Sequence, residues 1–132
     1  MADNLVSIII PLYNSEKFIK DTINSVLFQT YTNWEVIIVD DCSTDNSVEI
    51  ILKIIDNNSN IRLIKLENNV GSAQSRNTAL ELANGRFITF LDSDDIWHSD
   101  KLEKQVAFML KRKVPISFTS YELIDENGAS KN

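Results

Sequence analysis

Short continuous apolar runs alternate along the chain with apolar stripes at helical spacing, and the two periods define the elements. Leu5-Val6-Ser7-Ile8-Ile9-Ile10 is one such run, stopped by Pro11, and has the pattern of a strand buried on both faces. Phe18, Ile19, Thr22, Ile23, Val26 and Leu27 then form a helical stripe, with Asn14 and Ser15 as two candidate N-caps. A second strand runs from Trp34 to Val39 and ends in Asp40-Asp41. The helix after it carries Val48, Ile51, Leu52 and Ile55 on one side, and Ile61 to Leu66 reads as a third strand.

Gly71 opens a third helix whose expected packed positions are Ala73, Asn77, Leu80 and Ala83, with Asn84-Gly85 as its C-terminal stop. Phe87 to Leu91 is a fourth strand, with Asp92-Ser93-Asp94-Asp95 at its carboxyl end. A fourth helix begins near Asp100, with Glu103 completing a capping box, and buries Leu102, Val106, Met109 and Leu110. Ile116 to Leu123 has the pattern of a fifth strand, and Asp125-Glu126-Asn127-Gly128 has turn chemistry. Strands alternating with helices predict an α/β fold: a mostly parallel sheet with helices on both faces and right-handed crossovers. In such sheets ligands bind outside the carboxyl ends of the strands, where strand order reverses. Pro11 to Asn14, Asp40-Asp41, Glu67 to Gly71 and Asp92 to Asp95 all fall at those ends.

Composition narrows the class. With 132 residues, 43% hydrophobic and 24% charged, the chain is an ordinary globular domain without repeats, low-complexity tracts or a linker. A net charge of −6 argues against a nucleic-acid binder. The basic cluster Lys111-Arg112-Lys113 follows a helix and complements the negative end of its dipole, although a phosphate or lipid contact fits it too. No apolar run approaches the ~20 residues that span a bilayer. The start, Met1-Ala2-Asp3-Asn4, lacks the organisation of a secretory signal. The single Cys42 excludes an internal disulfide and a cysteine-built metal site. The expected location is cytoplasmic, with peripheral attachment at the inner face of the membrane left open.

The strand-end residues carry the candidate chemistry. In an extended stretch Asp92 and Asp94 point the same way. Two carboxylates about 4 Å apart repel by roughly 4 kcal/mol at an effective dielectric of about 20, which a hard divalent cation would offset. Mg²⁺ or Mn²⁺ is commonly held by one or two carboxylates with substrate phosphate oxygens. A solvated acidic turn is the plainer reading of the same motif. One member of Asp40-Asp41 can point into the crevice and accept from an imide N–H, while the other braces the loop; helix capping by Asp41, Ser43 or Asp45 is the alternative. Tyr13 offers an aromatic face, or simply packs. Arg76 suits a diphosphate through its planar fork, or forms a salt bridge with Glu81 or Asp40. His98, the lone histidine beside Trp97, fits packing or a loop surface.

Five blocks, in order, resemble the amino-terminal part of the family 2 glycosyltransferases, which have the GT-A fold, a Rossmann-like three-layer sandwich. They are Val6 to Asn14, Ser25 to Thr30, Glu35 to Asp45, Asn69-Val70-Gly71 with Ser75-Arg76-Asn77, and Gly85 to Ile88 leading to Leu91 to Asp95. Spread over about 90 residues, they make a specific match that covers nearly the whole chain. The resemblance implies a nucleotide-sugar donor site. Pro11 and Tyr13 would line the base, most often uracil, and Asp41 would hydrogen-bond it. Arg76 would lie near the ribose or diphosphate, and Ser93 would belong to the donor site. Asp94 would be the direct ligand of Mn²⁺ or Mg²⁺, with Asp92 nearer the ribose or a metal-bound water.

By the same resemblance, a UDP-sugar donor would react with inversion at an acceptor hydroxyl on a saccharide or lipid-linked saccharide. The role would be in bacterial cell-surface polysaccharide synthesis. Residues 1–132 would be the donor-binding part of the domain, with the general base and acceptor half expected beyond residue 132. Oligomeric state stays open. A haloacid-dehalogenase phosphatase would carry Asp-x-Asp after its first strand, a receiver domain its acidic pair near the first strand, and a nucleotidyltransferase a glycine-rich basic loop where Pro11-Leu12-Tyr13-Asn14 stands. A non-catalytic module that binds a sugar nucleotide or a partner protein is the alternative from another class.

Overall fold

The computed structural model of the chain describes residues 4–131. Eight elements follow one another: β1 (Val6–Leu12), α1 (Ile19–Leu27), β2 (Trp34–Asp40), α2 (Ser47–Ile55), β3 (Ile61–Lys65), α3 (Ser72–Leu82), β4 (Phe87–Phe90) and α4 (Lys101–Arg112). The four strands form one parallel sheet in the order β3-β2-β1-β4, with Ile8 opposite both Val36 and Thr89. Strand order thus reverses between β1 and β4. Ile8, Ile10 and Leu12 face α1, α2 and α4 through Ile19, Ile23, Val26, Ile51, Leu102 and Val106. Ile9, Ile37 and Val39 face α3 through Ala79. Layers on both faces of a parallel sheet are what the alternating pattern predicts.

Several local expectations are corrected. Pro11 does not stop β1; the strand runs on to Leu12. The Ile9 carbonyl accepts from Leu91 N–H, so alternation aims the Pro11 nitrogen at the same edge, beyond Phe90 where β4 has ended. A missing N–H costs nothing there. On α2 the buried side is Ser47 and Ile51 with Ile54 and Ile55 against it, and Leu52 points outward. On α3 the buried residues are Ser75 and Ala79, with Ala83 beside the core. Ala73 and Asn77 are exposed and Leu80 is largely so. Small side chains let this helix lie close to the sheet, so its contact positions are Ser75, Ala79 and Ala83 rather than its large apolar residues. Gly85 is not a left-handed helix stop. A Cβ there would stand 2.6 Å from Ser7 Oγ and 2.7 Å from Ser7 N, so glycine is required by close approach to β1.

The caps come from distant segments. The Ser15 hydroxyl bonds Ser93 and Asn14 bonds the β2–α2 loop, so neither side chain caps α1. Asp100 pairs with Lys104 at 2.6 Å and Glu103 accepts from Thr30, so no capping box forms on α4. Gln29, at the end of α1, does that work. Its Oε1 accepts from Leu102 N–H and its Nε2 donates to the carbonyls of Ser25 and His98. On α4, Leu102 and Val106 are buried, Met109 is half-buried and Leu110 is largely exposed. The fifth strand is not formed. Among the described residues the tail after α4 makes a single antiparallel bridge, Ile124 with Ser130. Phe118 and Tyr121 are 95% and 88% exposed, so the segment has neither a ladder nor a face to bury, and strand propensity alone does not hold it. The turn at Asp125 to Gly128 forms, with the Asp125 carboxylate accepting from Asn127 and Ala129 N–H.

At the opposite end of the sheet from these carboxylate-rich loops, a polar knot ties the strands together. Ser7 donates to Glu35 Oε1 at 2.6 Å, Asn84 N–H donates to the same oxygen at 2.7 Å, and Arg62 lies 3.8 Å away. Burial pushes the Glu35 carboxyl up, but Ser7, Asn84 and Arg62 together outweigh it and hold the group below its usual value. A depressed folded-state value stabilises the fold above the unfolded value, near about 4.3, and that stabilisation is lost as pH falls through the folded value. We therefore expect Glu35→Gln to be less stable than the native chain near neutral pH. The gap should close as pH falls below the unfolded value and through the depressed folded value, as read by urea unfolding across that acid range.

Candidate functional site

The residues assigned to the donor site from the sequence meet at one cavity. It has a volume of about 450 Å³ and lies at the carboxyl ends of the strands, on the reversal point between β1 and β4. Pro11, Tyr13, Asp41, Arg76, Asp92, Ser93 and Asp94 line it. Leu12, Ser15, Asn69, Gly71, Ser72 and Ser75 complete the wall. Asn69 and Gly71 sit at the end of β3, so the strand-end rule reaches them as well. Ser72 carries no signal of its own and enters because α3 starts there, while Ser75 belongs to the Ser75-Arg76-Asn77 block, in which the resemblance implies a site role for Arg76 alone.

Each carboxylate is held differently. Asp41 is 4% exposed; its two oxygens accept from Val70 N–H at 2.7 Å and Gly71 N–H at 2.9 Å. Its carbonyl accepts from Asn69 Nδ2. Each carboxylate oxygen keeps a lone pair. Asp40, equally buried, accepts weakly from Ser43 N–H at 3.3 Å. Both members of the pair therefore brace loops, and Asp41 does so while lining the cavity. Asp45 takes the helix-entry role, accepting from Ser47 N–H at 2.9 Å and Glu16 N–H at 3.1 Å. Burial pushes its carboxyl up, and the hydrogen bonds from Ser47 and Glu16 pull it below its usual value. Gly71 supplies φ +89° at the turn into α3, a conformation that favours glycine.

The acidic motif after β4 is a turn, not an extended stretch: Asp95 N–H donates to the Asp92 carbonyl at 3.1 Å. Ser93 turns inward, sharing a hydrogen bond with Ser15 Oγ, and its carbonyl accepts from Thr22 Oγ1. Fixing the middle residue leaves Asp92 and Asp94 exposed at the cavity wall. Burial, then the charges of Asp94 and Asp92, push the Asp95 carboxyl up, a mark of concentrated negative potential. Arg76 bonds Asp92 Oδ1 at 2.9 Å, so its ion-pair partner is neither Glu81 nor Asp40. His98 is a surface residue, 3.9 Å from Glu122 and outside the cavity lining.

The donor set fits a hard divalent cation bound partly by substrate. Asp92 and Asp94 supply carboxylate oxygens, and among the described residues no cluster of three or more His, Cys, Asp or Glu could hold a metal alone. Such an ion would complete its shell with phosphate oxygens and water. Among the described residues no helix is long and apolar enough to cross a membrane.

A four-stranded parallel sheet whose acidic turn, arginine and aromatic residue share one cavity at the strand-order reversal defines an open α/β domain with its candidate site at the carboxyl ends of the strands. The family model for glycosyl transferase family 2 matches residues 7–131, and the chain belongs to that family. It is 50% identical over 127 residues to WfgD of Escherichia coli, a UDP-Glc:alpha-D-GlcNAc-diphosphoundecaprenol beta-1,3-glucosyltransferase, covering 96% of this chain and 49% of that protein. The chain thus spans about half the length of the curated relatives it matches. The fold matches that of S. aureus TarS 1-349 in complex with UDP, with a TM-score of 0.76 and 39% identity over 82% of this chain and 32% of that one. It also matches the mannosyltransferase PcManGT from Pyrobaculum calidifontis in complex with GDP-Man and Mn²⁺, with a TM-score of 0.74 and 28% identity over 79% of this chain and 32% of that one. The GT-A fold expected from the sequence is therefore the fold observed.

Proposed function

We propose that residues 1–132 form the donor-binding part of a metal-dependent glycosyltransferase, which moves a sugar from a nucleoside diphosphate, UDP in the first instance, to an acceptor hydroxyl with inversion. The observation that carries this reading is the meeting of Tyr13, Asp41, Arg76, Asp92 and Asp94 at one cavity on the strand-order reversal. Pro11 and Tyr13 line the base, and the lone pairs left on Asp41 accept from its imide N–H. Arg76 exchanges its contact with Asp92 for the diphosphate, for which its fork is suited. Asp94, with Asp92 beside it, would hold Mn²⁺ or Mg²⁺. A bound divalent ion neutralises the charge that grows on the diphosphate as the sugar departs. Ser93 serves the donor site by holding both aspartates outward. No residue of this chain is assigned as the general base.

Relatives with UDP-Glc in their name, and neighbours solved with UDP or with GDP-Man and Mn²⁺, support donor and metal. The diphosphoundecaprenol-linked acceptor in WfgD's name supports a lipid-linked saccharide acceptor, and the teichuronic acid biosynthesis in the name of Bacillus subtilis TuaG supports a role in polysaccharide assembly. The test is nucleotide release by the full-length protein given UDP-glucose or UDP-N-acetylglucosamine, Mn²⁺ and a polyprenyl-diphosphate-linked saccharide. We expect UDP release that requires the acceptor and stops with EDTA. Binding of the donor without release under any of these conditions would make the protein a non-catalytic sugar-nucleotide module.

A further inference from the structure

The loop after β1 and the loop after β2 are bound to each other by several hydrogen bonds, and Asn14 makes the largest share of them. Asn14 stands between Tyr13 and Ser15, and its φ of +46° lies in the left-handed region that asparagine tolerates better than most residues. Its Oδ1 accepts from Thr44 N–H at 2.7 Å and Asp45 N–H at 3.3 Å, and its own N–H donates to Ser43 Oγ at 3.0 Å. Further bonds lie beside it. Ser15 N–H donates to Ser47 Oγ at 2.9 Å, Glu16 N–H to Asp45, and Asn46 N–H to Glu16 at 3.0 Å. Only Asn14 adds to this clamp a side-chain acceptor shared by two backbone donors and a left-handed turn immediately after Tyr13. Asn14 itself is absent from the cavity lining, whereas Tyr13, the residue before it, and Asp41, two residues before the Ser43 it bonds, are in it.

We infer that Asn14 is a positioning residue for nucleobase recognition. It sets the ring of Tyr13 against Asp41 by locking the two strand-end loops into one wall. The inference rests on the donor-site reading above. An amide oxygen is required and the amide nitrogen is not, because all three bonds to the side chain, from Thr44 N–H, Thr44 Oγ1 and Asp45 N–H, are accepted by Oδ1. Aspartate can therefore replace Asn14, while glycine preserves the backbone conformation but removes the acceptor.

The test is calorimetric titration of the full-length protein and its Asn14→Gly and Asn14→Asp variants with UDP, GDP, CDP and ADP in Mn²⁺. Loss of a wall that reads the base should raise the Kd of the preferred nucleotide in Asn14→Gly by about tenfold and bring the four Kd values together. Asn14→Asp should keep both affinity and discrimination within about threefold of the native protein. General destabilisation would weaken all four nucleotides alike and leave their ratios unchanged, which would overturn the positioning role. Native-like discrimination in Asn14→Gly would overturn it also. If the native protein binds none of the four, the donor-site reading falls and this inference with it.

Discussion

Replacing Asp41 by alanine is expected to cost both stability and nucleotide binding. The side chain is buried and its two oxygens accept from Val70 and Gly71 N–H, which ties the end of β2 to the turn that starts α3. Hydrogen bonds to a charged group contribute about 1.5–3 kcal/mol each, and part is recovered because both N–H donors lie on residues open to water. A net loss of about 2–4 kcal/mol follows, which for a chain of this length lowers Tm by about 10 °C. With the Asn69–Gly71 turn released, one wall of the cavity moves, and affinity for UDP should fall by more than about tenfold. Asp41→Asn keeps the shape and one acceptor oxygen, but sets an NH₂ against a backbone N–H. It should fall between the two in scanning calorimetry. An alanine variant with native Tm would show that the two hydrogen bonds contribute nothing.

Asp94→Asn should act in the opposite sense on stability and more severely on function. Asp94 is exposed and stands with Asp92 and Asp95 in one short turn, where burial first and then the charges of Asp94 and Asp92 push the Asp95 carboxyl up. Removing one charge relieves that repulsion, so Tm should be equal to or slightly above the native value. The same change removes the anionic ligand assigned to the metal, and the part of UDP affinity that depends on Mn²⁺ should disappear. Sites that assemble like charges for a ligand commonly show this exchange of stability for function. A variant that keeps its Mn²⁺ response in UDP titrations would remove Asp94 from the metal site.

The site was more legible than the helices that support it. Residues at the carboxyl ends of parallel strands lie near the reversal point by topology, so Pro11, Asp41 and Asp92 could be assigned to one place before any helix was packed. β1 was legible for a related reason: a central strand covered on both sides must be apolar throughout. The face of α3 was not legible. Its contact residues are Ser75 and Ala79, chosen for size, while Leu80 looks outward. Helix ends failed where the partner is remote. Nothing near Asp100 marks Gln29 as the residue that accepts from Leu102 N–H, and nothing near Asn14 marks Thr44. Side-chain pairing of Arg76 with Asp92 also depends on two elements being brought together in space. The Ile116 to Leu123 segment has strand residues without a strand neighbour, which sequence periodicity does not register.

The most direct test of the central claim, that this cavity is a metal-dependent donor site, is titration of the full-length protein with UDP in the presence and absence of Mn²⁺. The account predicts binding that strengthens by about tenfold or more when the metal is present and that returns to the metal-free strength on chelation. Binding of equal strength with and without Mn²⁺, or no binding of UDP, GDP or dTDP to a folded sample, would contradict it.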